Sequence, residues 1–130
     1  MSIPDPVSAD ATSQIPRRFH RFATEGSVRL YSGQAMWTTR LVDVSLAGVL
    51  VERPEHWDGN IGNRYRLDLR LDGGVMIGMG VELARIEPDA GLGFCRSKID
   101  LASFAQLKRL VELNLGNYQV LREEIAALSA

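Results

Sequence analysis

Between Ser27 and Ser97 the large apolar residues recur at every second position, and beyond Asp100 they recur every three or four. That change of period constrains the fold more than any other feature, because side chains alternate across a strand but return about every 3.6 residues on a helix. Val28 and Leu30 alternate with Arg29 and Tyr31 up to the turn Ser32-Gly33-Gln34. Residues 36–45 are rich in β-branched and aromatic side chains and read as a second strand. Gly48 interrupts it, and Val49–Glu52 resumes as a third before Pro54. Residues 54–63 are dense in turn formers and read as a loop. Tyr65, Leu67, Leu69 and Leu71 then alternate with Arg64, Arg66, Asp68 and Arg70, the clearest half-buried strand of the chain. Asp72-Gly73-Gly74 turns it into residues 75–87, whose inward row is Val75, Ile77, Met79, Val81 and Leu83. Gly78 and Gly80 fall on the opposite face and mark a bend or a close backbone approach. The turn Glu87–Gly91 leads into a sixth strand, Leu92–Ser97.

Past Asp100 the pattern is helical. Ser103 followed by Gln106 fits a capping box. Phe104, Leu107, Leu110, Val111 and Asn114 make one stripe, and Gly116 supplies the stop. A second helical segment, about 118–128, presents Leu121, Ile125 and Leu128. Strands followed by helices predict a mainly β fold, an antiparallel sheet or small barrel with α elements packed on one side. Residues 1–16 hold three prolines and almost no large apolar side chains, which predicts a flexible tail over 1–15. The folded unit is expected over 16–130, with the sheet at about 26–98 and the helical region at about 100–128. One domain accounts for 130 residues.

Composition narrows the function. The chain is 45% hydrophobic and 24% charged, as in ordinary globular proteins. A membrane span or secretory leader is not evident, so a cytoplasmic location is expected. Cys95 is the one cysteine, which excludes a disulfide framework and a cysteine-rich zinc site. His20 and His56 are the only histidines, too few for metal hydrolysis or a triad chemistry with several candidates. A net charge of −1 gives no global field for DNA. Thirteen of the fifteen basic residues are arginine, and Arg17, Arg18 and Arg21 crowd into five positions where the tail meets the folded body.

Two short constellations can carry chemistry: Arg17-Arg18-Phe19-His20-Arg21, and Asp43-Val44-Ser45-Leu46-Ala47-Gly48 at a junction of two strands. Guanidinium groups grip phosphate oxygens through paired hydrogen bonds and stack flat on bases. Arg17 and Arg21, four apart in an irregular segment, can wrap one small anion. Asp43 and Ser45, two apart on a strand, are expected on one face, where a carboxylate can accept from guanine N–H groups. Gly48 leaves no side chain in the way, so that backbone can approach a ligand or the chain can turn sharply. Each constellation alone is weak: arginine clusters are commonly solvated patches, and Asp-x-Ser-x-x-Gly is commonly a turn.

Together, an RRxxR stretch about twenty residues ahead of DxSxxG in a small β-rich domain resembles the PilZ family, receptors for the bacterial second messenger cyclic diguanylate (cyclic di-GMP). Arg17, Arg18, Arg21, Asp43, Ser45 and Gly48 fill the pattern without substitution. Leu92–Ser97 and the helix through Leu107–Gly116 are similar to the late strand and helix of stand-alone members, so the likeness covers roughly 16–125. It implies a six-stranded antiparallel barrel with a C-terminal helix packed on it. One cyclic di-GMP, or an intercalated dimer, would sit on the outer barrel surface under the arginine segment. Arg17 and Arg21 would then hold phosphates or guanine, Arg18 would add a contact, Asp43 and Ser45 would bond to guanine or phosphate, and Gly48 would keep the surface open. Arg85 stands where relatives place an aromatic side chain against guanine, and Pro16 stands where another basic residue is common.

The implied protein is a binding module with no cofactor, metal or catalytic residue, expected as a monomer that signals to an unknown downstream protein. It would not insert in membranes or bind DNA. Two other readings stay open, a PilZ-like adaptor that does not bind the nucleotide and a small barrel binding single-stranded nucleic acid. Of the remaining residues, His20 reads as a packing or rim residue, Cys95 as core, Trp37 as a strand residue and Trp57 as a loop anchor. The acidic pairs Glu123-Glu124 and Asp68/Asp72 read as solvated faces.

Overall fold

Alternation over six strands closes a ring, because a twisted antiparallel sheet with one apolar face can bury that face against itself. In the computed structural model, residues 19–89 and 91–128 are described. The expected tail, Pro16, Arg17 and Arg18 lie outside them. The strands are β1 (Phe22–Ala23), β2 (Ser27–Ser32), β3 (Ala35–Val44), β4 (Gly48–Glu52), β5 (Arg64–Arg70), β6 (Met76–Ile86) and β7 (Gly91–Ile99). All neighbours are antiparallel, in the order β3-β2-β5-β6-β7-β4, and β4 returns to β3 to close the barrel. The strand missing from the sequence reading is β1, only two residues long. It continues the line of β2 along β3, with Phe22 opposite Val44 and Ala23 opposite Asp43.

The inward row is the one the alternation marks. Val28, Leu30, Leu67, Leu69, Ile77, Val81, Leu83 and Leu92 are fully buried. Each such side chain contributes about 1.5–3 kcal/mol on burial. Trp57 in the 53–63 loop packs against Trp37, Tyr65 and Phe94, with ring centroids 4.9 to 6.4 Å away, and so anchors that loop. The ladders shift register at three places, between Leu41 and Asp43, between Gly80 and Val81, and between Leu83 and Arg85. The first and last, bulges in β3 and β6, matter for the site.

Helices α1 (Leu101–Leu115) and α2 (Tyr118–Leu128) follow, and α1 lies against β6 and α2. Leu107, Val111 and Leu121 are their fully buried residues. Gly116 ends α1 at φ 64°, in the left-handed region where glycine costs least. The start of α1 differs from the expected capping box. Asp100 is the cap, accepting from the Ser103 N–H at 2.7 Å. The Ser103 hydroxyl instead accepts from the Gly78 N–H at 3.0 Å. Gly78 lies one residue past the last β6–β7 pair, Met79 opposite Ile99, so α1 supplies the partner the sheet no longer offers there. No helix among the described residues is long and apolar enough to cross a membrane.

Candidate functional site

A strand that kept strict alternation from Leu41 would aim Asp43 into the core. The bulge in β3 prevents this by inserting Val42, which is exposed, so that Leu41 and Val44 both face inward and Asp43 faces out. The second bulge does the same on β6. Leu83, opposite Phe94, points inward, Ala84 is the extra residue, and Arg85 emerges on the outer face opposite Gly93. The Arg85 side chain lies over Gly93, where a Cβ would come within 2.9 Å of its Cγ and Nε. Arg21 enters just ahead of β1 and reaches Asp43 with two parallel bonds, Nε to Oδ1 at 3.2 Å and Nη2 to Oδ2 at 3.3 Å.

These groups converge on one recess of about 110 Å³ on the outer face, lined by Arg21, Asp43, Ser45, Gly48, Arg85 and Cys95 among others. A larger groove of about 850 Å³ crosses β2, β5, β6 and β7, but it holds none of the motif residues. There Arg64 and Arg66 are already paired with Glu82 and Asp68. Convergent chemistry rather than size therefore selects the smaller recess. Its two guanidinium groups are likewise matched by two carboxylates, Arg21 by Asp43 and Arg85 by Glu87 at 2.7 Å.

The junction between β3 and β4 is built tightly. Ser45 is 6% exposed, and its Oγ accepts from the Ala47 N–H at 3.1 Å and the Gly48 N–H at 3.2 Å. The Ser45 N–H donates to the Gly48 carbonyl at 2.9 Å, closing the turn. Leu46 at the apex is fully buried and roots the turn in the core. A Cβ on Gly48 would run into the Phe94 carbonyl, so the close approach that glycine allows here is to β7, not one the sequence pointed to. Ser45 thus lines the recess while its acceptor capacity serves the turn, leaving its hydroxyl proton to donate. Ser45→Ala leaves two amide donors without that partner, at about 1–3 kcal/mol. The expected result in a thermal melt followed by circular dichroism is a midpoint lower by roughly 4–10 °C.

Three residues stand differently from their sequence reading. Cys95 is exposed on the outer face, not core, because Leu92 and Phe94 take the inward positions of β7. Asp68 is half-buried beside Arg66, whereas Asp72 is exposed as expected. Glu124 is only 3% exposed and is not part of a solvated face. Its Oε2 accepts from the His20 N–H at 2.9 Å and lies 3.0 Å from His20 Nδ1, while Oε1 is buried without a partner. His20, the residue just ahead of Arg21, is therefore tied to α2. Phe19 beside it is buried, which seats the segment on the body.

The PilZ domain family model matches residues 16–113. Among solved structures, the chain is similar to the Bacillus subtilis inhibitor of motility MotI/DgrA, with TM-score 0.64 and 18% identity over 76% of this chain and 51% of that one. It thus spans about half the length of that protein. The PilZ domain of CeSA from a cellulose-synthesizing bacterium matches at TM-score 0.55 and 19% identity, covering 75% of this chain and 99% of that one. The PilZ domain of YcgR from Escherichia coli, a structure with c-di-GMP, matches at TM-score 0.59 and 17% identity, covering 82% and 92%. At such identities the structures speak for the barrel alone. The family model reaches further, since it runs from the arginine segment through the closed barrel and most of α1, and on that span the chain belongs to the PilZ domain family.

Proposed function

We propose that the chain is a non-enzymatic cytoplasmic receptor for cyclic diguanylate, bound on the outer barrel face. The observation that carries this reading is the convergence of Arg21, Asp43, Ser45, Gly48 and Arg85 on one recess beside the point where the arginine segment enters. The recess has room for about one base, so most of a cyclic dinucleotide would lie on the open surface and be covered from the N-terminal side. Asp43 accepts from guanine N–H groups once Arg21 turns to a phosphate, and the Arg85 guanidinium offers a flat stacking surface. Because Arg21 and Arg85 are balanced by Asp43 and Glu87, the excess positive charge for two phosphates comes from Arg17 and Arg18.

Ligand binding would reorder the arginine segment. Since His20 is bonded to Glu124, that movement acts on α2 and changes the surface offered to a downstream protein. The aromatic residues Trp37, Trp57, Tyr65 and Phe94 pack on one another instead of forming exposed platforms, which counts against the single-stranded nucleic acid reading.

Cys95 offers a direct test, since it lines the recess and is the chain's one cysteine. Saturating cyclic diguanylate is expected to slow maleimide labelling of Cys95 by about tenfold or more, because only the unliganded fraction reacts. GMP at the same concentration leaves the rate unchanged. An unaltered rate with the dinucleotide would overturn the site.

A further inference from the structure

We propose that Arg96 is a positioning residue of this site, holding the Ser45–Gly48 turn in its ligand-ready orientation; the proposal rests on the receptor reading above. Arg96 sits on β7 on the helix side of the barrel and is half-buried. Its backbone N–H donates to the Ala47 carbonyl at 2.8 Å, and its side-chain Nε donates to the Leu46 carbonyl at 2.9 Å. Two successive carbonyls of the turn are therefore committed to one residue. Arg96 does not line the recess, whereas Ala47 and Gly48 do, so both oxygens are directed away from the ligand surface. A peptide flip at either position would present a carbonyl dipole to an anionic ligand and displace the Gly48 end of β4.

The environment of Arg96 suits this role. Among the described residues no carboxylate pairs with it. The guanidinium rests instead on the Leu46 carbonyl and over the Phe104 ring of α1, 5.8 Å from the centroid. Burial lowers its pKa below the usual arginine value, which marks a cost of keeping a charge there.

The test uses the full chain, with cyclic diguanylate affinity from calorimetry and Ala47 and Gly48 amide shifts from NMR. Arg96→Leu and Arg96→Met, neither of which can donate, are expected to shift both amides and weaken binding by about tenfold or more, as loss of a charged donor to the turn implies. Arg96→Gln, whose side-chain amide nitrogen stands where the arginine Nε does and can still donate to the Leu46 carbonyl, returns affinity to within about threefold of the parent. Binding of the Leu or Met variant within threefold, or a Gln variant as weak as Leu, would overturn the proposal. Should Arg96→Leu not fold, the comparison of Gln with Met decides it. If the parent chain takes up no dinucleotide, the receptor reading fails. The amide shifts of the unliganded variants still decide whether Arg96 holds the turn, and unmoved amides would overturn that too.

Discussion

On the proposed receptor reading, Arg21→Ala is expected to abolish measurable binding of cyclic diguanylate while leaving the barrel folded. The substitution removes two charge-assisted donors, each with about 1.5–3 kcal/mol when satisfied. Together they amount to roughly a hundredfold or more in affinity. Asp43 adds to the loss, because without Arg21 its carboxylate faces the phosphates uncompensated. The fold is spared for a simple reason. The Arg21 side chain is 42% exposed, and a surface ion pair contributes only about 0–1 kcal/mol to stability. The melting midpoint is therefore expected to move by a few degrees at most while binding disappears. Affinity within about threefold of the parent, under 1 kcal/mol, would sink the assignment of Arg21.

Gly48→Ala fails for the opposite reason, through the fold. The new Cβ meets the Phe94 carbonyl, and that group belongs to β7, which pairs Gly48 with Cys95 and Val49 with Phe94. Backbone in a closed barrel yields poorly, and overpacking of this kind costs about 1–3 kcal/mol. A midpoint lower by roughly 4–10 °C is expected, together with loss of ligand binding as the end of β4 lifts from β7. Gly91→Ala is the matched control on the same pair of strands. Its Cβ would meet only Glu87 side-chain carbons at 3.4 Å and Leu50 Cδ1 at 3.5 Å, so little change is expected. Equal effects from both substitutions would show that the close approach at Gly48 is not what the turn depends on.

Much of this architecture was legible because it follows from local rules. Alternation marked Leu67, Leu69, Ile77 and Val81 as inward, and Gly116 marked the end of α1. What escaped was set by tertiary register. No pattern around Val42 or Ala84 announces a bulge, yet those two insertions aim Asp43 and Arg85 outward. The strand face shared by Asp43 and Ser45 was the right neighbourhood with the wrong detail. β3 ends at Val44, and the Ser45 oxygen turns back on its own loop. Cys95 was readable in principle, since Leu92 and Phe94 fix the parity of β7. Glu124 was not. A carboxylate on an amphipathic helix reads as solvent-facing until the distant segment carrying His20 is seen to cover it. Asp100 is masked as a cap by the more familiar pattern that Ser103 offers, although the Ser103 hydroxyl serves Gly78.

The most direct test of the central claim is a calorimetric titration of the full chain with cyclic diguanylate, beside GMP and a short single-stranded oligonucleotide. Saturable heat with the dinucleotide alone is predicted, with a stoichiometry that reports one molecule or an intercalated pair. Salt dependence should be shallow, because a dinucleotide releases far fewer counterions than a polyanion. No heat at high protein concentration, with the NMR amides of Arg21, Asp43 and Gly48 unmoved by ligand, would contradict the account.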